Sequence, residues 1–442
     1  MNRGVAFGAG LTPLWDRAPP GSRPRMTDAP ATTEARQTDA SGSAGEVFRA
    51  FLRLGLTAFG GPVAHLGYFR DELVVRRGWL DERGYADLVA LCQFLPGPAS
   101  SQVGFSLGVL RGGGLLGGLA AWTAFTLPSA LLLLAFAYGV GALTGPVAGG
   151  AIHGLKLVAV AVVAQAVWGM ARTLAPDRPR AGIAVAALFV TVFAAGSIGQ
   201  IGAIALGAVA GLVLCRAAPQ PPQAPRAVPV SRRAGAAALV IAALLLVAPR
   251  LLAGGHPDQA LPQALPQALA LFEAFYRSGA LVFGGGHVVL PLLQAEVVAP
   301  GWVGAGAFLA GYGAAQAVPG PLFTVAAYLG AVAGPSPHGV AGAAIALIAI
   351  FLPGLLLVYG MLPYWDAVRA RPLAQAALRG TNAAVVGILG SALYDPVWTG
   401  AIGNPRDVAV AVLAFVLLQV GRVPPWRVVA LTALGGVALA LV

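Results

Sequence analysis

The sequence predicts an all-α polytopic membrane protein built from two inverted-topology repeats with broken, re-entrant helices. Three observations predict it. Of the 442 residues, 57% are hydrophobic and only 10% charged, at a mean hydropathy of +0.77, whereas a soluble domain usually carries about 25% charged residues. Uncharged runs such as Gly112–His153, Ala181–Cys215 and Leu322–Leu362 each exceed the roughly 20 residues that cross a bilayer. Finally, the chain repeats itself at a near-constant offset, with loop charge that differs between the copies. So few charges cannot coat soluble domains. A soluble enzyme, a nucleic-acid binder and a secreted disulfide scaffold are excluded.

In chain order, the first element is a tail. Residues 1–45 are rich in Pro, Ser, Thr and Ala, mix five Arg with four acids and lack an apolar signal core. They read as a disordered cytoplasmic tail, with Met26 as a second candidate start. The N-terminal repeat follows at 46–216. A basic linker with one connecting transmembrane helix (about 234–253) occupies 217–269, and the C-terminal repeat fills 270–442.

The repeat is carried by unusual residues. Phe48, Phe51, Arg53, Gly55, Phe59, Gly60 and Gly61 recur as Phe272, Phe275, Arg277, Gly279, Phe283, Gly284 and Gly285, shifted by 224. Trp79 matches Trp302, Gln93 matches Gln316, and Pro96-Gly97-Pro98 matches Pro319-Gly320-Pro321, shifted by 223. Pro128 then matches Pro353, and Gly154 matches Gly380.

From Arg111 onward the first half offers spans near 115–138, 147–170, 181–196 and 199–215. The second half offers 339–362, 374–394, 407–420 and 428–441. Four spans plus the connecting helix make an odd number of crossings, so equivalent points fall on opposite faces. Loop charge agrees. The 66–86 loop carries Arg70, Arg76, Arg77 and Arg83, while its counterpart at 288–304 has neither Arg nor Lys. The net charge of +11 and pI near 10.4 therefore reflect cytoplasmic loops at 66–86, 171–180, 216–233 and 363–372, not a nucleic-acid partner. Halves of opposite topology are a signature of secondary transporters.

Ahead of the spans, each half has a helix ending at Phe-Gly-Gly and two short helices meeting at Pro-Gly-Pro. Pro removes a donor and Gly lets the chain turn, so such breaks free backbone groups. In hydrocarbon these survive only where buried in protein or lining a cavity. One reading is a surface loop; the other is a pair of re-entrant hairpins meeting near the midplane, with helix N-termini aimed at an anion. The second makes Gly60, Gly61, Gly284, Gly285 and both Pro-Gly-Pro turns candidate binding elements.

Ionisable groups inside a membrane default to functional candidates. Arg53 and Arg277 precede the Phe-Gly-Gly breaks and either face substrate or snorkel to headgroups. Lys156, the sole lysine, either binds substrate or makes a structural pair; Arg379 and Asn382 match His153 and Lys156 in the other half. Gln93 and Gln316 precede the Pro-Gly-Pro turns, and Ser100, Ser101 and Thr324 follow them, as ligands or helix caps. His65 and His287 are weaker candidates for proton coupling. The acids sit near segment ends, so the cavity is expected to hold no carboxylate, which suits a dianion.

Cys92 and Cys215 form no metal spacing or disulfide framework. No H-E-x-x-H, G-x-S-x-G or P-loop occurs. No metal or cofactor is expected. An intramembrane enzyme, the reading from another class, would need a nucleophile–base pair drawn from Ser100, Ser101 and His153.

The run FGGPVAHLGYFRDELV…GWLDE…LCQFLPGPASSQVGFSLGVLRGGGLLGGLAAWTAFTLPSA resembles the chromate ion transporter (CHR) family, two-domain type. LVFGGGHVVLP…AQAVPGPLFTVAAYLG and the later FLPG resemble that family's C-terminal domain. The resemblance covers about 46–216 and 270–442. It implies export of chromate, a tetrahedral dianion like sulfate, across the bacterial inner membrane by the electrochemical gradient, with the bilayer and a homodimer as partners. Transport of sulfate or another oxyanion is the alternative, since one fold serves several ligands. The Arg-bearing tail lies outside the resemblance.

Overall fold

Both halves run through the same succession of elements, and the second retraces the first by reciprocal contacts. The computed structural model describes residues 42–142, 145–194, 196–216, 228–254, 264–334, 336–369 and 371–441. The tail expected before residue 42 lies outside the described residues, as do 217–227 and 255–263 of the linker. The described residues form helices and connecting turns, with no strand among them.

The first half opens with α1 (Ala44–Thr57), capped by Ser43, whose Oγ accepts the Glu46 N–H at 3.1 Å. Val47, Ala50, Phe51 and Leu54 form its buried stripe. The chain breaks at Gly60 and Gly61, both at positive φ, and turns back through α2 (Gly61–Phe69) and a π-helical run, Arg70–Arg76. Next come α3 (Glu82–Phe94) and α4 (Ala99–Arg111), joined by Pro96-Gly97-Pro98. Then follow α5 (Leu115–Ala142), α6 (Pro146–Leu174), α7 (Arg178–Phe193) and α8 (Gly196–Leu214). The connecting helix is α9 (Arg232–Gly254).

The second half mirrors this with α10 (Ala264–Ala280), a short α11 (Val289–Leu293), α12 (Ala305–Ala315) and α13 (Val325–Val332). It continues with α14 (Gly339–Met361), α15 (Trp365–Arg369), α16 (Pro372–Ala392), α17 (Thr399–Ala401), α18 (Pro405–Gln419) and α19 (Pro425–Leu441). Among the described residues, five segments are long and apolar enough to cross a membrane: Leu115–Val140, Pro146–Leu174, Gly196–Leu214, Gly339–Arg369 and Pro372–Ala401.

The short helices are re-entrant. Gly42 N–H donates to the Arg111 carbonyl at 2.8 Å, and Arg111 pairs with Glu46 and lies over the Trp79 ring. The end of α4 thus returns to where α1 and α3 begin. In the second half, Gly334 N–H reaches the Trp302 carbonyl at 2.8 Å, closing the equivalent hairpin mouth. The hairpin tips meet across the two halves: Gly97 N–H donates to Val282 O at 2.7 Å, and Gly320 N–H to Ala58 O at 2.9 Å. Val282 and Ala58 are themselves repeat equivalents just before the Phe-Gly-Gly breaks. Each half's freed backbone groups are therefore satisfied by the other.

Packing is exchanged between halves as well. α6 lies along α19, and α16 along α8. A Cβ on Gly154 would strike the Thr432 carbonyl, one on Gly150 the Gly436 carbonyl at 2.6 Å, and one on Gly207 the Gly380 carbonyl at 2.7 Å. Small residues at four-residue spacing let these backbones touch, the usual basis of helix association in lipid.

The arginine-rich loops gather at one end. Asp87, near the start of α3, bonds Arg369 at 2.7 Å. Tyr364 reaches the Arg232 carbonyl at 2.7 Å, and Arg379 reaches the Cys215 carbonyl at 3.4 Å. Glu296 and Ser197, bonded at 2.7 Å, belong to loops expected on the opposite face. In a background lacking Cys92 and Cys215, Arg76→Cys should be labelled only from the cytoplasmic side and Ala299→Cys only from the other. An impermeant maleimide applied to vesicles of each orientation checks this, and labelling of both cysteines from the same side would overturn the inverted arrangement.

Candidate functional site: a basic vestibule between α3 and α16

Among the described residues, a cavity of about 430 Å³ separates α3 from α15 and α16 at the arginine-rich end. One face of α3 supplies Arg83, Asp87 and Gln93, at helical spacing, and α16 supplies Gln375, Arg379 and Asn382. Arg369 and Trp365 of α15 complete the wall.

The charges divide clearly. Arg369 is shared between Asp87 and Asp366, each at 2.7 Å, and Trp365 Nε1 also donates to Asp87 at 3.1 Å. Arg83 and Arg379 make no ion pair among the described residues. The expectation of a cavity free of carboxylates is therefore corrected: Asp87 lines it, and Arg369 with Trp365 occupies its oxygen. Arg83 and Arg379 leave the vestibule positive. Two unneutralised guanidinium forks with nearby amides are chemistry for an oxyanion.

The vestibule leads to the second Phe-Gly-Gly break. Asn382 Oδ1 is buried without a hydrogen-bond partner. It lies 3.5 Å from where a Cβ on Gly284 would stand, and Met170 and Leu174 touch the same point. Gly284 (φ 73°) and Gly285 (φ 155°) turn the chain there.

The remaining predicted residues fall into separate groups. Arg53 is exposed on α1 and is not part of the vestibule wall. Arg277 is neutralised by Glu273 at 3.1 Å and by Glu296, which is itself buried. Lys156 is on α6, half-buried, with its Nζ 2.9 Å from where a Cβ on Gly306 would be. Gln93 is in the vestibule. Gln316, at the end of α12, has its Nε2 buried without a partner.

At the Pro-Gly-Pro tips, hydroxyls do not act as helix caps. The N-cap of α4 is Pro98, without a side-chain cap. Ser100 Oγ lies 3.5 Å from His65 Nδ1, and Ser101 Oγ is buried and unpartnered. Thr324 donates back to the Pro321 carbonyl at 2.6 Å. Gly97 (φ 124°) and Gly320 (φ 95°) are left-handed and also crowded. A Cβ on Gly97 would be 2.9 Å from Gly354 Cα; one on Gly320 would be 2.9 Å from Ser129 Oγ. Gln102 secures the first turn, donating through Nε2 to Pro96 O at 2.9 Å and Gly354 O at 3.1 Å. His287, half-buried, meets the Tyr312 hydroxyl at 2.6 Å, apart from His65 and its partner Ser100.

Sequence reasoning placed Arg83 and Arg369 in loops and gave Arg379 no role in binding. The signal available was spacing: Arg83, Asp87, Ala90 and Phe94 recur at i, i+4, i+7 and i+11 on one face of α3.

The chain is 31% identical to the chromate transport protein of Pseudomonas aeruginosa, over 83% of this chain and 83% of that protein. It is 28% identical to a probable chromate transport protein of Synechococcus elongatus, over 78% and 82%. Identity to the chromate transport protein of Cupriavidus metallidurans is 26%, over 87% and 90%. No solved structure matches. The chromate transporter family model matches residues 45–213 and 269–438, once in each half. Together with the duplicated re-entrant hairpins, this places the chain in the chromate transporter family, as a multi-pass membrane protein.

Proposed function

We propose that the protein is a secondary transporter that exports chromate across the bacterial inner membrane, driven by the electrochemical gradient. The observation that carries the reading is the vestibule, where Arg83 and Arg379 make no ion pair among the described residues and Asp87 is taken by Arg369, above the half-buried Asn382 and the Gly284 turn. A tetrahedral dianion takes bidentate guanidinium bonds and amide donors. The membrane potential itself drives such an ion outward, at roughly 2.3 kcal/mol per charge per 100 mV. The domain limits 1–45, 46–216, 217–269 and 270–442 belong to the same proposal, as does a homodimeric assembly.

Sulfate has the same shape and charge and is the competing cargo. Everted vesicles from cells making the protein should accumulate chromate, with the rate falling when the potential is dissipated. An excess of sulfate that leaves chromate uptake unchanged supports chromate as the cargo; uptake of sulfate in its place supports the alternative. Arg379→Gln should raise the half-saturating chromate concentration about tenfold, the equivalent of one charge-assisted hydrogen bond. Arg379→Lys should recover part of that loss, because a point charge replaces a planar fork. Unchanged affinity in Arg379→Gln would remove the vestibule from the transport path.

A further inference from the structure

The two halves are equivalent in sequence, yet of one pair of equivalent seams the first is open and the second shut. The vestibule is the open one, with α3 and α16 standing apart across it. Its repeat counterpart is the seam between α12 and α6. There Gly306, Gly313 and Gln316 replace Arg83, Ala90 and Gln93, while His153 and Lys156 replace Arg379 and Asn382.

In that second seam the helices touch. Gly313 fits against the Leu155 carbonyl with no room for a Cβ, and Gly306 receives the Lys156 ammonium. Lys156 has no ion pair among the described residues. Gln316 Nε2 is buried with no acceptor. At the outer edge, His153 Nε2 meets Asp407 Oδ1 at 2.7 Å. Asp407 also accepts the Gly403 and Asn404 N–H groups through Oδ2, at 2.9 and 3.2 Å. The seam holds cationic and amide chemistry like the vestibule's, without space for a ligand.

We propose that Lys156, His153 and Gln316 form a second anion subsite, held shut here by α12 on α6, which opens as α3 closes onto α16. This rests on reading the vestibule as an oxyanion site. An ammonium on α6 set against the glycine face of α12, and a buried amide donor without an acceptor at the end of α12, are explained by an anion that both groups bind when the seam parts. The symmetry also specifies the alternate state: Arg83 then meets Asn382 as Gly306 now meets Lys156.

Labelling with an impermeant thiol reagent tests this in the full-length protein lacking Cys92 and Cys215. Asn382→Cys should react from the cytoplasmic side, and Lys156→Cys should be protected from the other. Adding Gly313→Leu, which cannot fit against Leu155, should reverse the pattern, raising labelling at Lys156→Cys at least tenfold and lowering it at Asn382→Cys to match. A rise at the first without a fall at the second, or no change at either, overturns the proposal. Should Gly313→Leu fail to insert, Ala90→Leu in the open seam should hold Lys156→Cys protected when chromate is added, whereas the parent becomes labelled. Equal labelling in both overturns it.

Sidedness supplies a separate readout. Lys156→Gln should raise half-saturating chromate about tenfold from the periplasmic face and far less from the cytoplasmic face. Equal effects on both faces overturn the second subsite. If reciprocal labelling occurs but chromate neither moves nor protects either cysteine, the chromate reading fails while the exchange of seams stands.

Discussion

Gly97→Val and Gly320→Val should each abolish transport while leaving a protein that still inserts. Two costs coincide at these turns. A β-branched residue is strongly disfavoured at φ of 124° or 95°. Its Cβ would also lie 2.9 Å from Gly354 Cα in the first case, and 2.9 Å from Ser129 Oγ and 3.1 Å from the Phe125 carbonyl in the second. Relief requires the tip to withdraw, which breaks the Gly97–Val282 or Gly320–Ala58 bond that joins the halves. Loss of the bond and the strain together amount to several kcal/mol, of which backbone strain alone is about 1–3 kcal/mol. Vesicle uptake normalised to protein in the membrane is the measurement. Wild-type rates in both variants would show that these tips take no part in transport.

Arg277→Gln and Arg53→Gln should behave differently despite their equivalence in sequence. Arg277 sits between Glu273 and the buried Glu296, so its loss takes the shared cation from two largely buried carboxylates that line one cavity. Breaking a buried pair by removing one partner costs about 3–5 kcal/mol. With the partial exposure of this triad, about 3 kcal/mol and a clear fall in thermal stability in detergent are expected. Glu296→Gln in the same chain should restore part of it. Arg53 is exposed, and its replacement should shift stability by less than about 0.5 kcal/mol. Chromate affinity should be unchanged in Arg53→Gln. A tenfold loss there would return Arg53 to the site.

These two arginines show what was legible in the sequence and what was not. The repeat, the helical class, the long spans and the turns at Gly97 and Gly320 follow from residue types with strict backbone or solvation demands. Partner choice does not. Glu296 has a true counterpart in Glu72, but Glu72 is claimed by Arg76 and Arg77. The equivalents of those arginines are Pro300 and Gly301, so Glu296 turns to Arg277 and Arg53 is left to solvent. An offset reports equivalence, not contact. For the same reason it concealed that Gly97 bonds the opposite half, and that α6 pairs with α19. The vestibule was half legible. Gln93 stood out beside its Pro-Gly-Pro, while Arg379 was noticed only as a match to His153, because its access to the cavity depends on α16 standing clear of α3.

The exchanged packing of α6 with α19 and of α8 with α16 also bears on how the protein is made. When the first half has left the ribosome, the glycine faces of α6 and α8 have no permanent partner. The helices that complete them, α16 and α19, are synthesised well over 150 residues later, after the connecting helix α9. The packing of the first half is thus completed only after the second has been made, so these faces must wait in the membrane as an unfinished bundle. Cutting the gene within the linker should still give function when both pieces are made in one cell, and none when either is made alone.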